Sequence, residues 1–310
     1  MVNNVLEIKG LSKIFNKNKS TEVKAVNDVS FTIKKGETFG LVGESGCGKS
    51  TLGRTIINLY SPTDGEIIID GQNILELSKS KRKTFLNNKV QMIFQDPYAS
   101  LNPRFKVMDI ISEGIKVQKK LKSKEEIRNK VYELLELVGL SAENANRFPH
   151  EFSGGQRQRI GIARALAVEP EIIIADEPIS ALDVSIQAQI VNLLLEIQRK
   201  KGLTILFIAH DLAMVRYISD TIGVMYKGKI VEIGEADNIY KKPLHPYTQS
   251  LLSAIPIAHP QIERNRKRFS YDANIDGFKN EENLSLNYIS LNHSVLCTEE
   301  KARNLQQKFS

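Results

Sequence analysis

The run Gly43-Glu44-Ser45-Gly46-Cys47-Gly48-Lys49-Ser50-Thr51 constrains this chain more than any other feature. It fits G-x4-G-K-[ST], a loop whose glycines let successive backbone N–H groups turn inward around phosphate oxygens. Thr38 to Val42 reads as an apolar strand entering the first glycine, and a helix is expected to begin within the run. The positive end of that helix adds to the attraction for an anion. Lys49 can reach the β and γ phosphates of a nucleotide, and the Ser50 hydroxyl can ligate Mg²⁺.

A second run, Ile172-Ile173-Ile174-Ala175-Asp176-Glu177, is an apolar strand ending in two carboxylates. Acids at the carboxyl end of a strand in an open α/β sheet stand where ligands bind. Asp176 is expected to serve the Mg²⁺ shell, and Glu177 to orient or deprotonate an attacking water. Between the two runs lies Phe152-Ser153-Gly154-Gly155-Gln156. By spacing alone it is a helix N-cap with flexible glycines ahead of Ile160 to Ala167.

The surrounding pattern supplies a scaffold. Short strands are expected at Val5 to Ile8 and Val29 to Ile33, and another at Ile67 to Asp70 with a turn at Gly71. From Lys106 to Ala167 the period becomes helical, with Ser123 and Glu126 forming a capping box and Gly139 ending that helix. Strand and helix then alternate, Ile186, Ile190, Leu193, Leu194 and Ile197 marking one helix face before a strand at Thr204 to Ala209. Alternation of this kind predicts a parallel α/β core. Beyond about residue 260 the chain turns polar and weakly patterned, so residues 261–310 are expected to be a tail.

At 310 residues, 41% apolar and 25% charged, the composition suits a folded soluble chain. No apolar run approaches the roughly 20 residues of a membrane-spanning helix, and the first residues lack a signal-peptide pattern, so cytoplasmic work is expected. The net charge of +7 is scattered over clusters such as Lys79 to Lys83, Lys116 to Lys124 and Arg264 to Arg268. No aromatic-interleaved basic stripe accompanies them, which argues against nucleic-acid binding. Cys47 and Cys297 have neither disulfide-framework nor zinc spacing. Lys49 and the loop amides beside Cys47 predict a lowered thiol pKa there.

The Phe152 to Gln156 run resembles the signature sequence of the ABC ATPases, usually written with Leu where this chain has Phe152. The other family elements follow in order. Gln95, in Met92-Ile93-Phe94-Gln95-Asp96-Pro97, matches the glutamine loop, Ser180-Ala181-Leu182-Asp183 the D-loop, and His210 the switch histidine. Phe15 stands where an adenine-stacking aromatic belongs, more often a tyrosine in the family. The resemblance covers residue 5 to about residue 256.

It implies a P-loop NTPase core with a RecA-like parallel sheet, an N-terminal antiparallel β subdomain and an inserted α-helical subdomain at about 97–160. Residues 1–260 would form the ATPase domain. ATP and Mg²⁺ would be bound by residues 43–51 and Asp176, with Ser50, Gln95 and Asp176 at the metal, partly through water. Catalysis would fall to Glu177, His210 and Gln95. In this family two ATPase domains face head to tail. Ser153, Gly154, Gly155, Gln156 and Asp183 would therefore help close over nucleotide held by a second, related ATPase.

Three further runs resemble the peptide and nickel importer branch of the family: Asp96 to Arg104, Leu182 to Gln189, and Leu244-His245-Pro246-Tyr247-Thr248-Gln249. Thr51-Leu52-Gly53-Arg54 and Tyr98-Ala99 are similar to the second of the two ATPases of oligopeptide permeases, and the tail from Tyr271 to Arg303, with His293-Ser294-Val295, resembles the cysteine-free tails of Gram-positive oligopeptide ATPases. Many members carry a cysteine cluster for an iron–sulfur centre after His-Pro-Tyr-Thr; with Cys297 alone there, no cluster is expected. The resemblance implies a subunit at the cytoplasmic face of the membrane. Its partners would be a related ATPase, two permeases and, indirectly, an extracellular solute-binding protein. Nickel or another solute, or a non-transport ABC ATPase, are the alternatives. Against the last stand the absence of a second ATPase domain and of long coiled-coil insertions, the marks of translation and repair members.

Overall fold

The computed structural model describes residues 4–118, 121, 123–255, 269–272 and 284–309. The basic cluster at Arg264 to Arg268, part of that at Lys116 to Lys124 and much of the expected tail lie outside these residues. In chain order the first elements are β1 (Asn4–Phe15), β2 (Val23–Lys34), β3 (Thr38–Val42), α1 (Lys49–Ile56), β4 (Asp64–Ile69) and β5 (Gln72–Asn73). Next come α2 (Lys79–Lys89), β6 (Val90–Ile93), α3 (Pro97–Ser100), α4 (Val107–Gln118), α5 (Lys124–Leu137), α6 (Gly154–Leu166), β7 (Ile172–Asp176), α7 (Val184–Lys201) and β8 (Thr204–Ala209). The last third holds α8 (Leu212–Ile218), β9 (Thr221–Tyr226), β10 (Lys229–Glu235), α9 (Ala236–Lys241), α10 (Pro246–Ala254), β11 (Ser285–Ser290), β12 (His293–Cys297) and α11 (Glu299–Phe309). The fold is α/β, and its chain divides into two compact units that interleave along the sequence.

One unit takes residues up to 6, 33–36 and 67–208. Its strands β6, β7 and β8 pair in parallel, with Ile93 opposite Ala175 and Asp176 opposite Ile208. Every residue of β7 and β8 is buried. An apolar run without alternation is what a strand covered on both faces requires. Helices α4 to α6 fall in the stretch from Lys106 to Ala167 expected to be helical, and the single turn of α3 precedes it. Ser123 Oγ accepts from Glu126 N at 3.0 Å while Glu126 Oε2 accepts from Ser123 N at 3.0 Å, the capping box read from sequence. Helix α5 ends at Gly139, whose φ of +74° an L side chain would resist. Helix α7 buries Ile190, Val191, Leu193, Leu194 and Ile197, one face at the period of a helix.

The other unit takes 7–32, 37–66 and the chain from 209 onward. Here β3 runs parallel to β9, with Leu41 opposite Gly223, and β9 turns back antiparallel into β10. Strand β2 alternates, placing Val29 and Phe31 inward. The expected tail is not shapeless: β12 pairs antiparallel with β10, Val295 opposite Glu232, and β11 pairs with β12. Ile289, Val295, Cys297 and Ala302 of this hairpin and α11 form a small apolar cluster with Leu244 and Leu305. Its strands are too short, and its partner strand too distant in sequence, for periodicity to have revealed it.

Candidate functional site

Strand β3 delivers the chain into the phosphate loop and α1 leads it out. The turn after β9 braces it, Gly228 N donating to Cys47 O at 2.9 Å. Two glycines are demanded by close approach. A Cβ on Gly43 would lie 2.1 Å from Met225 O, and one on Gly48 would lie 2.0 Å from Ala25 O, at a φ of +112° besides. Gly46, at φ +82°, serves the turn itself. Lys49 is 3% exposed, and its Nζ lies across the loop, donating to Gly43 O at 2.8 Å and Glu44 O at 2.9 Å. The amides from Ser45 to Thr51 and this ammonium belong to one short segment, as phosphate binding needs.

Cys47 is placed as expected, but its acidity is not as expected. Burial pushes its thiol above the ordinary range, outweighing the opposite pull of Lys49, whose Nζ lies 3.8 Å from Sγ. The expected low pKa is therefore corrected: the loop that surrounds the sulfur also removes it from water.

Tyr247, one residue of the Leu244 to Gln249 run, also touches the loop. Its hydroxyl accepts from Glu44 N at 3.0 Å, and its ring packs on Tyr226 with centroids 4.4 Å apart. Burial pushes the phenol well up, so it remains protonated. In the same unit Phe15 ends β1 as a half-buried ring, edge-on to Tyr60 at 5.4 Å with Lys13 Nζ 5.0 Å from its centroid. Tyr60 was not singled out from sequence because nothing local ties it to β1. His210 is exposed directly after β8, ahead of α8, whose N-cap Asp211 accepts from Ala213 N at 2.8 Å.

In the other unit the acids close β7. Asp176 is fully buried. Glu177 follows at a φ of +44°, a left-handed conformation costly for a side-chain-bearing residue, held there as its N donates to Ile208 O at 2.9 Å. Strain at one residue that its surroundings over-determine is typical of functional positions. Gln95, just past β6, donates from Nε2 to Glu177 Oε2 at 2.9 Å. Two residues 82 apart in sequence are thus brought together by the β6–β7 pairing.

Ser153 caps α6, its Oγ accepting from Gln156 N at 3.3 Å while Gln156 Oε1 accepts from Ser153 N at 3.0 Å. The glycines behind it face the start of α7. A Cβ on Gly155 would lie 2.6 Å from Ile186 Cγ2, and one on Gly154 3.4 Å from Leu182 Cδ2. The signature run and the D-loop are therefore packed on each other. Asp183 caps α7 through its backbone, its carbonyl accepting from Ile186 N and Gln187 N at 2.9 Å. Gln187 Nε2 closes this loop by donating to Ile179 O and Leu182 O, both at 3.1 Å.

With this geometry in hand, the similarities to known proteins are informative. Residues 26–180 match the family model of the ABC transporter, and residues 231–276 that of the oligopeptide/dipeptide transporter, C-terminal region. The chain is 62% identical to the oligopeptide transport ATP-binding protein OppF of Bacillus subtilis over 96% of its length and 98% of the relative's. It is 54% identical to the dipeptide transport ATP-binding protein DppF of Lactococcus lactis, over 96% and 95%. Among solved structures, the ATP-binding cassette MJ0796, dimeric in a post-hydrolysis state with ADP and Pi, superposes with a TM-score of 0.68. The identity there is 31%, covering 74% of this chain and 98% of that one.

Proposed function

The chain belongs to the ABC transporter ATPase family, and on that premise we propose that it is the ATP-binding, ATP-hydrolysing subunit powering an importer of oligopeptides or dipeptides. The observation that carries the peptide assignment is the match of residues 231–276 to the C-terminal region of oligopeptide and dipeptide transporters, alongside near-full-length similarity to such ATPases.

In this reading residues 1–260 are the ATPase domain and residues 261–310 an extension of it. Phe15 stacks the adenine, and Lys49 with the loop amides takes the phosphates. Ser50, Asp176 and Gln95 would hold Mg²⁺, partly through water. The donor set fits a hard cation: a hydroxyl, a carboxylate and an amide oxygen. Gln95 commits its Nε2 to Glu177, which leaves Oε1 as the atom for a metal or its water. Bound Mg²⁺ would neutralise charge on the phosphates. Glu177, aimed by Gln95, would accept a proton from the attacking water. His210 would sense the γ-phosphate, and Ser153, Gly154, Gly155, Gln156 and Asp183 would face nucleotide on a second ATPase.

ATP then acts as the joint between two ATPases, and its hydrolysis releases them. The helical stretch at about 97–160 would carry that motion to two permease subunits, with a solute-binding protein supplying the peptide from outside. Among the described residues no helix is long and apolar enough to cross a membrane. That accords with peripheral attachment at the cytoplasmic face through the permeases.

The test is reconstitution with the co-purifying permeases, second ATPase and binding protein in vesicles. Short peptides should stimulate ATP hydrolysis and accumulate in the vesicle lumen. Stimulation by nickel or another solute, with none by peptides, would overturn the peptide assignment.

A further inference from the structure

The peptide group joining Gly43 to Glu44 is held from both edges. On one edge its carbonyl, Gly43 O, accepts from Lys49 Nζ at 2.8 Å, and on the other its N–H donates to Tyr247 Oη at 3.0 Å. A planar trans peptide points these groups in opposite directions, so fixing one fixes the other. The phenol therefore sets the orientation of the carbonyl on which the phosphate-binding lysine rests.

Tyr247 is itself held by a chain of contacts ending in the C-terminal hairpin. Its N donates to His245 Nδ1 at 3.1 Å. His245 N and Leu244 N donate to the two oxygens of Glu232 at 3.0 and 2.7 Å. His293 of β12 pairs through Nε2 with Glu232 Oε1 at 2.7 Å. Glu232 is 0% exposed and His293 5%, so these contacts stand in a medium where hydrogen bonds are strong and lost partners costly. The ring of Tyr247 is packed against Tyr226 and Tyr271, with centroids 4.4 and 5.6 Å away. Nothing in ordinary helix capping requires a phenol to reach the phosphate loop.

We propose that Tyr247 is a positioning residue for the phosphate loop, and that the C-terminal strand β12 acts on nucleotide binding through it by way of His293 and Glu232. The inference rests on the assignment of ATP to the loop. It adds that the C-terminal segment, far from that loop in sequence, tunes the loop's affinity.

The experiment uses the full chain and titration with a fluorescent ATP analogue, with melting of the nucleotide-free protein in parallel. Tyr247→Phe keeps the ring and removes the hydroxyl. It should weaken analogue binding roughly three- to tenfold, the worth of one hydrogen bond. His293→Ala should weaken binding by a smaller factor, and should add nothing when Tyr247→Phe is already present, because both act on the same peptide group. Undiminished affinity in Tyr247→Phe, whatever its melting temperature, would overturn the positioning role. Independent, multiplying effects of the two substitutions would overturn the route through Tyr247. If the wild-type chain itself fails to bind the analogue, the nucleotide assignment falls instead, so the two failures are distinguishable.

Discussion

Gln95 Nε2 donates to Glu177 Oε2 across 2.9 Å, joining the ends of the adjacent parallel strands β6 and β7. The bond occupies one carboxylate oxygen of Glu177 with a neutral donor. It also restrains the direction of the side chain. A base held in a fixed orientation is what proton removal from a water demands. The left-handed backbone of Glu177, at φ +44°, contributes to the same aim.

Glu177→Gln should leave ATP binding intact and lower hydrolysis about a hundred- to ten-thousandfold, because the substitution removes the proposed base and preserves shape. Phosphate release from the assembled transporter measures it. Gln95→Ala should lower the same rate by a smaller factor, since the carboxylate survives while its aim and one contact to the metal or its water are lost. Steady-state turnover unchanged in Glu177→Gln would refute the assignment of the base.

Lys49→Ala acts at an earlier step. The ammonium is 3% exposed and already desolvated by the loop, so a phosphate gains from it without a further solvation cost. Analogue affinity should fall roughly ten- to a hundredfold, as expected for loss of a charged hydrogen bond. An affinity equal to that of the wild type would contradict the cradle.

Gly155→Ala tests packing rather than chemistry. Its Cβ would sit 2.6 Å from Ile186 Cγ2, so the Ile186 side chain or the helices that bring the two together must give way. A cost of about 1–3 kcal/mol is expected, as for overpacking elsewhere, read from urea unfolding midpoints. Ile186→Ala removes the colliding methyl. The double variant should be less destabilised than the sum of the two single changes, a coupling that only contact predicts.

What was legible in the sequence was what is local. The strand at Thr38 to Val42, the loop at Gly43 and the capping box at Ser123 and Glu126 are each written within a few adjacent residues, and the structure places them where expected. The resemblance supplied Gln95, whose partner Glu177 lies on another strand. Two things escaped. The β12 hairpin depends on pairing with β10, some sixty residues earlier, and a strand this short has no period of its own to read. The phenol of Tyr247 reaches Glu44 across 203 positions, and no local pattern encodes such a contact. The role expected for Gly155, helping to close over nucleotide on a second ATPase, is joined by a second that sequence could not show, its packing on Ile186.

Cys47 is the remaining case, and it separates proximity from accessibility. Neighbouring amides and Lys49 favour a thiolate, yet burial is the larger influence and holds the thiol above its ordinary value of 9.0. The sign follows directly. With the pKa raised, the thiolate is a small minority at neutral pH, and its fraction keeps climbing as pH rises. Alkylation of Cys47 by iodoacetamide, followed by mass spectrometry of its peptide, should be slow near neutrality and accelerate up to about pH 9 without levelling off. Cys297, also pushed up by burial, should behave alike and serves as the internal comparison. Saturating ATP should slow the reaction at Cys47 and leave Cys297 unaffected, because only the former lies among the loop amides. A rate at Cys47 that plateaus below pH 8 would show that Lys49 outweighs burial after all.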